Sequence, residues 1–196
     1  MAKEIVLRNV RLSYVHLTTP TSFDSVNRKF IEDTEAGNYT AVILIPKGSE
    51  AEAILQDTIK ELKNEAVTSG IRSQGKTHKL TDKDLLRYND AIKDGNAKDA
   101  AEYEDVIYIT GKSKAEYPPK VYDQKNVPSP ASIIYSGCYA NVAINVYNYM
   151  AASNIGCSYG LRAVQFAKDG EKLGGASQDT DSIFGDKHIA NDNMFT

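Results

Sequence analysis

The chain has no tryptophan, only two cysteines and three histidines among its 196 residues, and no long apolar run. Each absence removes a class of function. Cys138 and Cys157 lack metal-ligand spacing, and their strand-like surroundings read as places for small buried hydrophobes rather than for a disulfide or a zinc centre. His16, His78 and His188 are scattered, so sequence assembles neither a histidine metal site nor a Ser-His-Asp grouping. No metal or cofactor is expected. The longest apolar stretch, Ala41 to Ile45, is far too short to cross a bilayer, and the charged start at Lys3-Glu4 lacks the apolar segment of a secretory signal. The expectation is a cytoplasmic protein with no membrane contact.

An excess of positive charge is also missing, since the net charge is −3. That deficit is local. Asp179, Asp181, Asp186 and Asp192 stand against the single Lys187 after Gly175, so residues 176–196 hold all of the −3 and residues 1–175 are neutral. A neutral body can still carry a basic groove, because net charge governs solubility and steering rather than any one site. With 41% hydrophobic residues the chain can bury one core, which divides it into a single domain, 1–175, and an acidic C-terminal tail, 176–196.

What is present is most legible between Gly137 and Met150. Strand side chains alternate between faces, so Cys138, Ala140, Val142, Ile144 and Val146 share one face and Tyr139, Asn141, Ala143, Asn145, Tyr147 and Tyr149 share the other. The first row is core. The second is a polar, aromatic surface of the kind on which a planar guest such as a nucleobase stacks. Tyrosine also simply suits a pleated surface, so the pattern alone leaves a covered face open.

Elsewhere, residues 4–15 alternate as a strand with Val6, Val10, Leu12 and Tyr14 together and Asn9, Arg11 and Ser13 opposite. Residues 18–38 read as a long irregular loop, and Tyr39 to Ile45 as a strand buried on both faces. Ser49-Glu-Ala-Glu52 is a capping box that opens a helix over about 50–69, with Ile54, Leu55, Ile59, Leu62 and Ala66 at helical spacing and Gly70 past its end. A short second helix starts near Thr81 to Asp84. Val106 to Lys114 is a strand with Ile107 and Ile109 inward and Tyr108, Thr110, Lys112 and Lys114 outward; Lys120 to Tyr122 is a short extended piece; Cys157 to Ala167 is the last strand. Such an order, mainly β (α+β) without βαβ alternation, predicts a five- to six-stranded OB-like Greek-key barrel with one principal inserted helix.

One motif points to an enzyme. Gly70-Ile-Arg-Ser-Gln-Gly75-Lys76-Thr77 satisfies the phosphate-loop pattern, which would make Lys76 and Thr77 the centre of an NTPase. A working phosphate loop joins a buried strand to a helix start, whereas Gly70 follows a helix, and no strand ends in a magnesium-binding aspartate. A non-enzymatic binder is expected. Asp179 and Asp181 do not make a calcium loop, because Ile183 and Ala190 occupy positions where oxygen ligands belong.

Arg11-Leu-Ser-Tyr14, Tyr39-Thr-Ala-Val-Ile-Leu-Ile-Pro-Lys47 with its helix, Asp94-Gly95, Tyr108-Ile-Thr-Gly-Lys-Ser-Lys114, Tyr135-Ser-Gly-Cys-Tyr139, Gly160-Leu-Arg-Ala-Val-Gln165 and Asp169-Gly-Glu-Lys-Leu-Gly-Gly175 together resemble the OB-fold single-stranded DNA-binding proteins of tailed phages. The likeness runs through most of the chain ahead of the tail. It implies sequence-independent binding of single strands in phage DNA replication and recombination, in the host cell cytoplasm. It further implies stacking roles for Tyr108, Tyr139, Tyr147 and Tyr149, and phosphate contacts from Lys112, Lys114, Lys120 and Arg162. Asp179, Asp181, Asp186, Asp192 and Phe195 would form a tail that contacts replication proteins such as a polymerase or helicase. Phe195 is followed by Thr196, and four aspartates make a mild version of such a tail. A homodimer, or a phage interaction module with no nucleic acid, is left open.

Overall fold

The structure is a computed structural model that describes residues 2–73, 75–151 and 154–173. Ten strands and two α-helices lie among them: β1 (Ala2–Asp24), β2 (Lys29–Glu32), β3 (Asn38–Pro46), α1 (Glu50–Thr68), β4 (Ile71–Ser73), β5 (Lys76–His78), α2 (Asp82–Leu86), β6 (Lys93–Asp94), β7 (Val106–Lys114), β8 (Lys120–Tyr122), β9 (Tyr139–Ala151) and β10 (Asn154–Lys168). The principal sheet runs β6-β7-β3-β1-β9-β10-β8, and a pairing of β10 with β7 closes β7-β3-β1-β9-β10 into a five-stranded barrel. That closed order is the expected OB-like architecture. The acidic tail lies outside the described residues.

Alternation places the core. Cys138, just ahead of β9, and Ala140, Val142, Ile144 and Val146 of β9 are fully buried and meet Leu7, Val10 and Leu12 of β1, Ala41, Ile43 and Ile45 of β3, Ile109 of β7, and Leu161 and Val164 of β10. Each Val, Leu or Ile side chain withdrawn from water contributes about 1.5–3 kcal/mol. α1 packs across β1, β3 and β9 with Ala51, Leu55, Ile59 and Leu62. It starts as the sequence predicts, the Ser49 hydroxyl accepting from the Glu52 amide, although the Glu52 carboxylate accepts from the Gly48 amide rather than that of Ser49. It stops at Gly70, whose φ of 84° is easily taken only without a Cβ. α2 begins at Thr81 with a complete capping box.

Two expectations fail along β1. Val6 and Tyr14 point outward and are exposed, because bulges at Asn9 and Tyr14, with φ 52° and 46°, are the first two of three register shifts along the strand. Each bulge inserts one residue and inverts the alternation beyond it. Residues 18–38 are not an irregular loop either: β1 continues to Asp24 and pairs with β2 in a hairpin, Phe23 opposite Phe30. A tilted contact of His16 with Phe30, ring centroids 4.7 Å apart, and an edge-to-face contact of Phe30 with Phe23, at 5.3 Å, support a segment whose composition is polar.

Gly70 to Thr77 folds as β4 and β5 of a small hairpin, Ile71 pairing with His78 and Ser73 with Lys76, with Gly75 in the turn at φ 76°. Neither flank supplies the strand-to-helix junction of a phosphate loop, so Lys76 and Thr77 have no helix N-terminus beside them. That geometry does not support nucleotide hydrolysis at this motif.

Candidate nucleic-acid interface

The outer row of β9 rises from three neighbouring registers. Tyr139 lies opposite Arg11 of β1 on one side and Lys168 of β10 on the other. Both cations approach its ring, Arg11 Cζ at 5.9 Å and Lys168 Nζ at 4.4 Å from the centroid. The backbone holds Arg11 in place, since its Nε donates to the Gly137 carbonyl and its Nη2 to that of Glu171. Asn141 accepts from the Asn9 amide and donates to Gln165 Oε1, so the next position is a polar bridge across three strands.

Register carries this line across the barrel wall. Arg11 pairs with Leu44, and Leu44 with Tyr108, so Tyr108, Leu44, Arg11, Tyr139 and Lys168 form one transverse row over β7, β3, β1, β9 and β10. Tyr108 is half-buried. It meets Tyr103 edge to face at 5.1 Å, and Lys98 Nζ lies 4.9 Å and Lys93 Nζ 5.9 Å from its centroid. Leu44 is outward yet buried, as is Ser13 beside it, and the buried Tyr103 brings its hydroxyl to 3.5 Å from Ser13 Oγ.

A second group forms around the closure of the barrel. Gly160 pairs with Asn145 on one side and with Lys112 on the other. The Tyr147 ring lies over it, Cε1 standing 3.6 Å from where a Cβ would be at that position. Tyr147, 38% exposed, thus leans over β10 toward the strand that bears Lys112. Arg162 is the extra residue of a bulge between Leu161 and Ala163, and Ala163 pairs with Lys120 of β8. Lys112, Arg162 and Lys120 therefore border one stretch of β10, all three exposed. A cavity of about 500 Å³ opens there, lined in part by Lys120, Arg162, Glu4 and Glu116, and Glu4 Oε2 stands 3.5 Å from Arg162 Nε. With both partners this exposed, that pair holds Arg162 only weakly.

Of the remaining expected residues, Lys114 ends β7 opposite Asn38 and is exposed, while Tyr149 is half-buried opposite Gly156 at the far end of β9. The structure thus brings Tyr108 and Tyr139 into one row and Tyr147, Lys112, Lys120 and Arg162 into one patch. Tyr149 and Lys114 lie at the margins. Tyr139 and Tyr147 are eight residues apart on one strand, roughly 27 Å. Asp179, Asp181, Asp186, Asp192 and Phe195 fall outside the described residues.

Arg11, Lys168 and Lys98 belong to the same surface and were not singled out from sequence. Arg11 and Lys168 could have been found only by knowing the pairing register of β9, and Lys98 sits in an irregular segment with no periodic signal. Beneath the surface the polar groups are neutral: burial pushes the hydroxyls of Tyr88 and Tyr159 and the thiols of Cys138 and Cys157 upward. Tyr159 donates to the Asp90 carbonyl and Tyr88 to Asn148 Oδ1, which fastens residues 88–90 to the end of the barrel. Among the described residues no three metal-ligating side chains converge, and no helix is long and apolar enough to cross a membrane.

Comparison with known proteins bears on this geometry. Residues 3–194 match the family described as Enterobacter phage Enc34, ssDNA-binding protein. Protein p50 of Acyrthosiphon pisum secondary endosymbiont phage 1 is 30% identical over 198 residues, covering 95% of each chain. Among solved structures, the single-stranded DNA-binding protein from bacteriophage Enc34 in complex with ssDNA superposes with a TM-score of 0.64 at 23% identity, over 87% of this chain and 89% of that one. The single-stranded DNA-binding protein encoded by bacteriophage T7 gives 0.58 at 14% identity, over 100% and 99%. At these identities the structural likeness speaks for the fold.

Proposed function

Because this chain belongs to the family of the Enterobacter phage Enc34 single-stranded DNA-binding protein, we propose that it binds single-stranded DNA without regard to sequence and coats strands exposed in phage replication and recombination, in the host cytoplasm. The observation that carries the reading is the interleaving of ring and cation on the outer barrel wall, with Tyr139 between Arg11 and Lys168 and Tyr147 leaning toward the Lys112 strand. Bases stack on the tyrosines Tyr108, Tyr139, Tyr147 and Tyr149, each worth about 1–3 kcal/mol, and any base has a face to offer. Lys112, Lys114, Lys120 and Arg162 take the phosphates. No bond is made or broken, so the protein acts by occupancy rather than catalysis.

The tail's aspartates and Phe195 serve as a contact for replication proteins, and their negative charge competes with DNA for the cationic patch. Fluorescence titration with a single-stranded oligonucleotide, its duplex and the corresponding RNA tests the reading. Single strands should bind and duplex poorly, since paired bases cannot open onto the rings without an unpairing cost. Four phosphate contacts give a log–log salt slope of about −3. A chain ending at residue 175 should bind more tightly at low salt. Equal affinity for duplex would remove the stacking mechanism, and light scattering with and without oligonucleotide distinguishes a monomer from a homodimer.

A further inference from the structure

Tyr14 stands at the second bulge of β1 with φ 46°, between the registers Ser13–Val42 and His16–Thr40. A bulky L-residue in the left-handed region is strained, because its Cβ crowds the following carbonyl. Folding gains little in return. The side chain is 54% exposed, and its hydroxyl has no hydrogen-bond partner among the described residues. Strain kept at an exposed aromatic points to use of the ring rather than to packing.

The ring has a companion. Lys98 Nζ lies 5.5 Å from the Tyr14 centroid, 4.1 Å from that of Tyr103 and 4.9 Å from that of Tyr108. It forms no ion pair among the described residues, so three ring faces alone offset its charge. The ammonium therefore remains available to a phosphate. Tyr108, which shares it, belongs to the transverse row already described, and Tyr14 stands on β1 three residues past Arg11 of that row, so Lys98 ties the Tyr14 ring to it. Beside Tyr14 opens a cavity of about 220 Å³ lined in part by Ser13, His16, Glu102 and Ser136.

Resting on the single-strand reading above, we infer that Tyr14 and Lys98 form a further base-and-phosphate contact of the DNA path, Tyr14 stacking a base and Lys98 meeting the adjoining phosphate. The decisive variant is Tyr14→Gly, which removes the ring and relieves the left-handed backbone in one step. With a fluorescein-labelled oligodeoxythymidine, Tyr14→Gly should bind at least about five-fold more weakly while its melting temperature stays level or rises. Tyr14→Phe should bind as the unaltered chain does, and Lys98→Gln should flatten the salt slope by about 0.7. Unchanged affinity in Tyr14→Gly, or a fall in its melting temperature, overturns the inference while the wider reading stands. If the unaltered chain fails to bind the oligonucleotide, the wider reading fails first.

Discussion

Inward and outward rows of β9 alternate along the same residues of one strand, yet they answer to different physics. Cys138, Ala140, Val142, Ile144 and Val146 are sealed from water and constrained by volume, since a close-packed interior leaves no room to gain or lose a methylene. Tyr139, Asn141, Asn145 and Tyr147 are half-buried to exposed and constrained by what stands beside them: Arg11 and Lys168 at one end, Gly160 at the other. The inner row specifies that a barrel exists. The outer row specifies what its wall can hold.

That division can be broken most forcefully from inside. Ile144→Ala should cost about 2–5 kcal/mol in urea denaturation through lost burial and the cavity left behind, with the affinity of the folded fraction for DNA unchanged. From outside the pattern reverses. Tyr139→Ala combined with Tyr147→Ala should weaken single-strand binding by about 30-fold or more while shifting the denaturation midpoint far less than the core change. If both variants lost stability alike, the outer rings would be structural.

A smaller effect sharpens the comparison elsewhere on the wall. Burial against the hairpin lowers the His16 imidazole below its ordinary 6.5, so the folded protein holds it neutral where the unfolded chain accepts a proton. Its contribution is complete above pH 6.5 and drains away as pH falls through the lowered value. Melting temperatures taken between pH 7 and 5 should therefore drop, and His16→Gln should make that drop smaller.

β9 was legible from sequence because its outer and inner residues keep period two without a bulge over the core span. α1 was legible because capping, spacing and a terminal glycine agree. β1 misled for an equally physical reason: bulges at Asn9 and Tyr14 flip its faces, and nothing in a tyrosine announces that it will adopt φ 46°. The hairpin of β1 and β2 was hidden because rings in tilted and edge-to-face contact at its surface, rather than an apolar core, support it. For the interface, the tyrosines and the basic residues of β7 and β8 could be listed from alternation and resemblance. Which cation faces which ring depends on register between strands distant in sequence, as Arg11 and Lys168 show at Tyr139.

One joint in the barrel has a mechanical implication. β9 and β10 are laced along nearly their whole length, but β7 and β10 meet in parallel at the single register Gly160–Lys112. Were the cylinder to part anywhere, it would part there first. In the binding mode proposed above, a polynucleotide draped over Gly160 and held by Tyr147 on one side and Lys112 on the other would act as a suture across that weakest seam, making the coat on the strand sturdier than the free subunit.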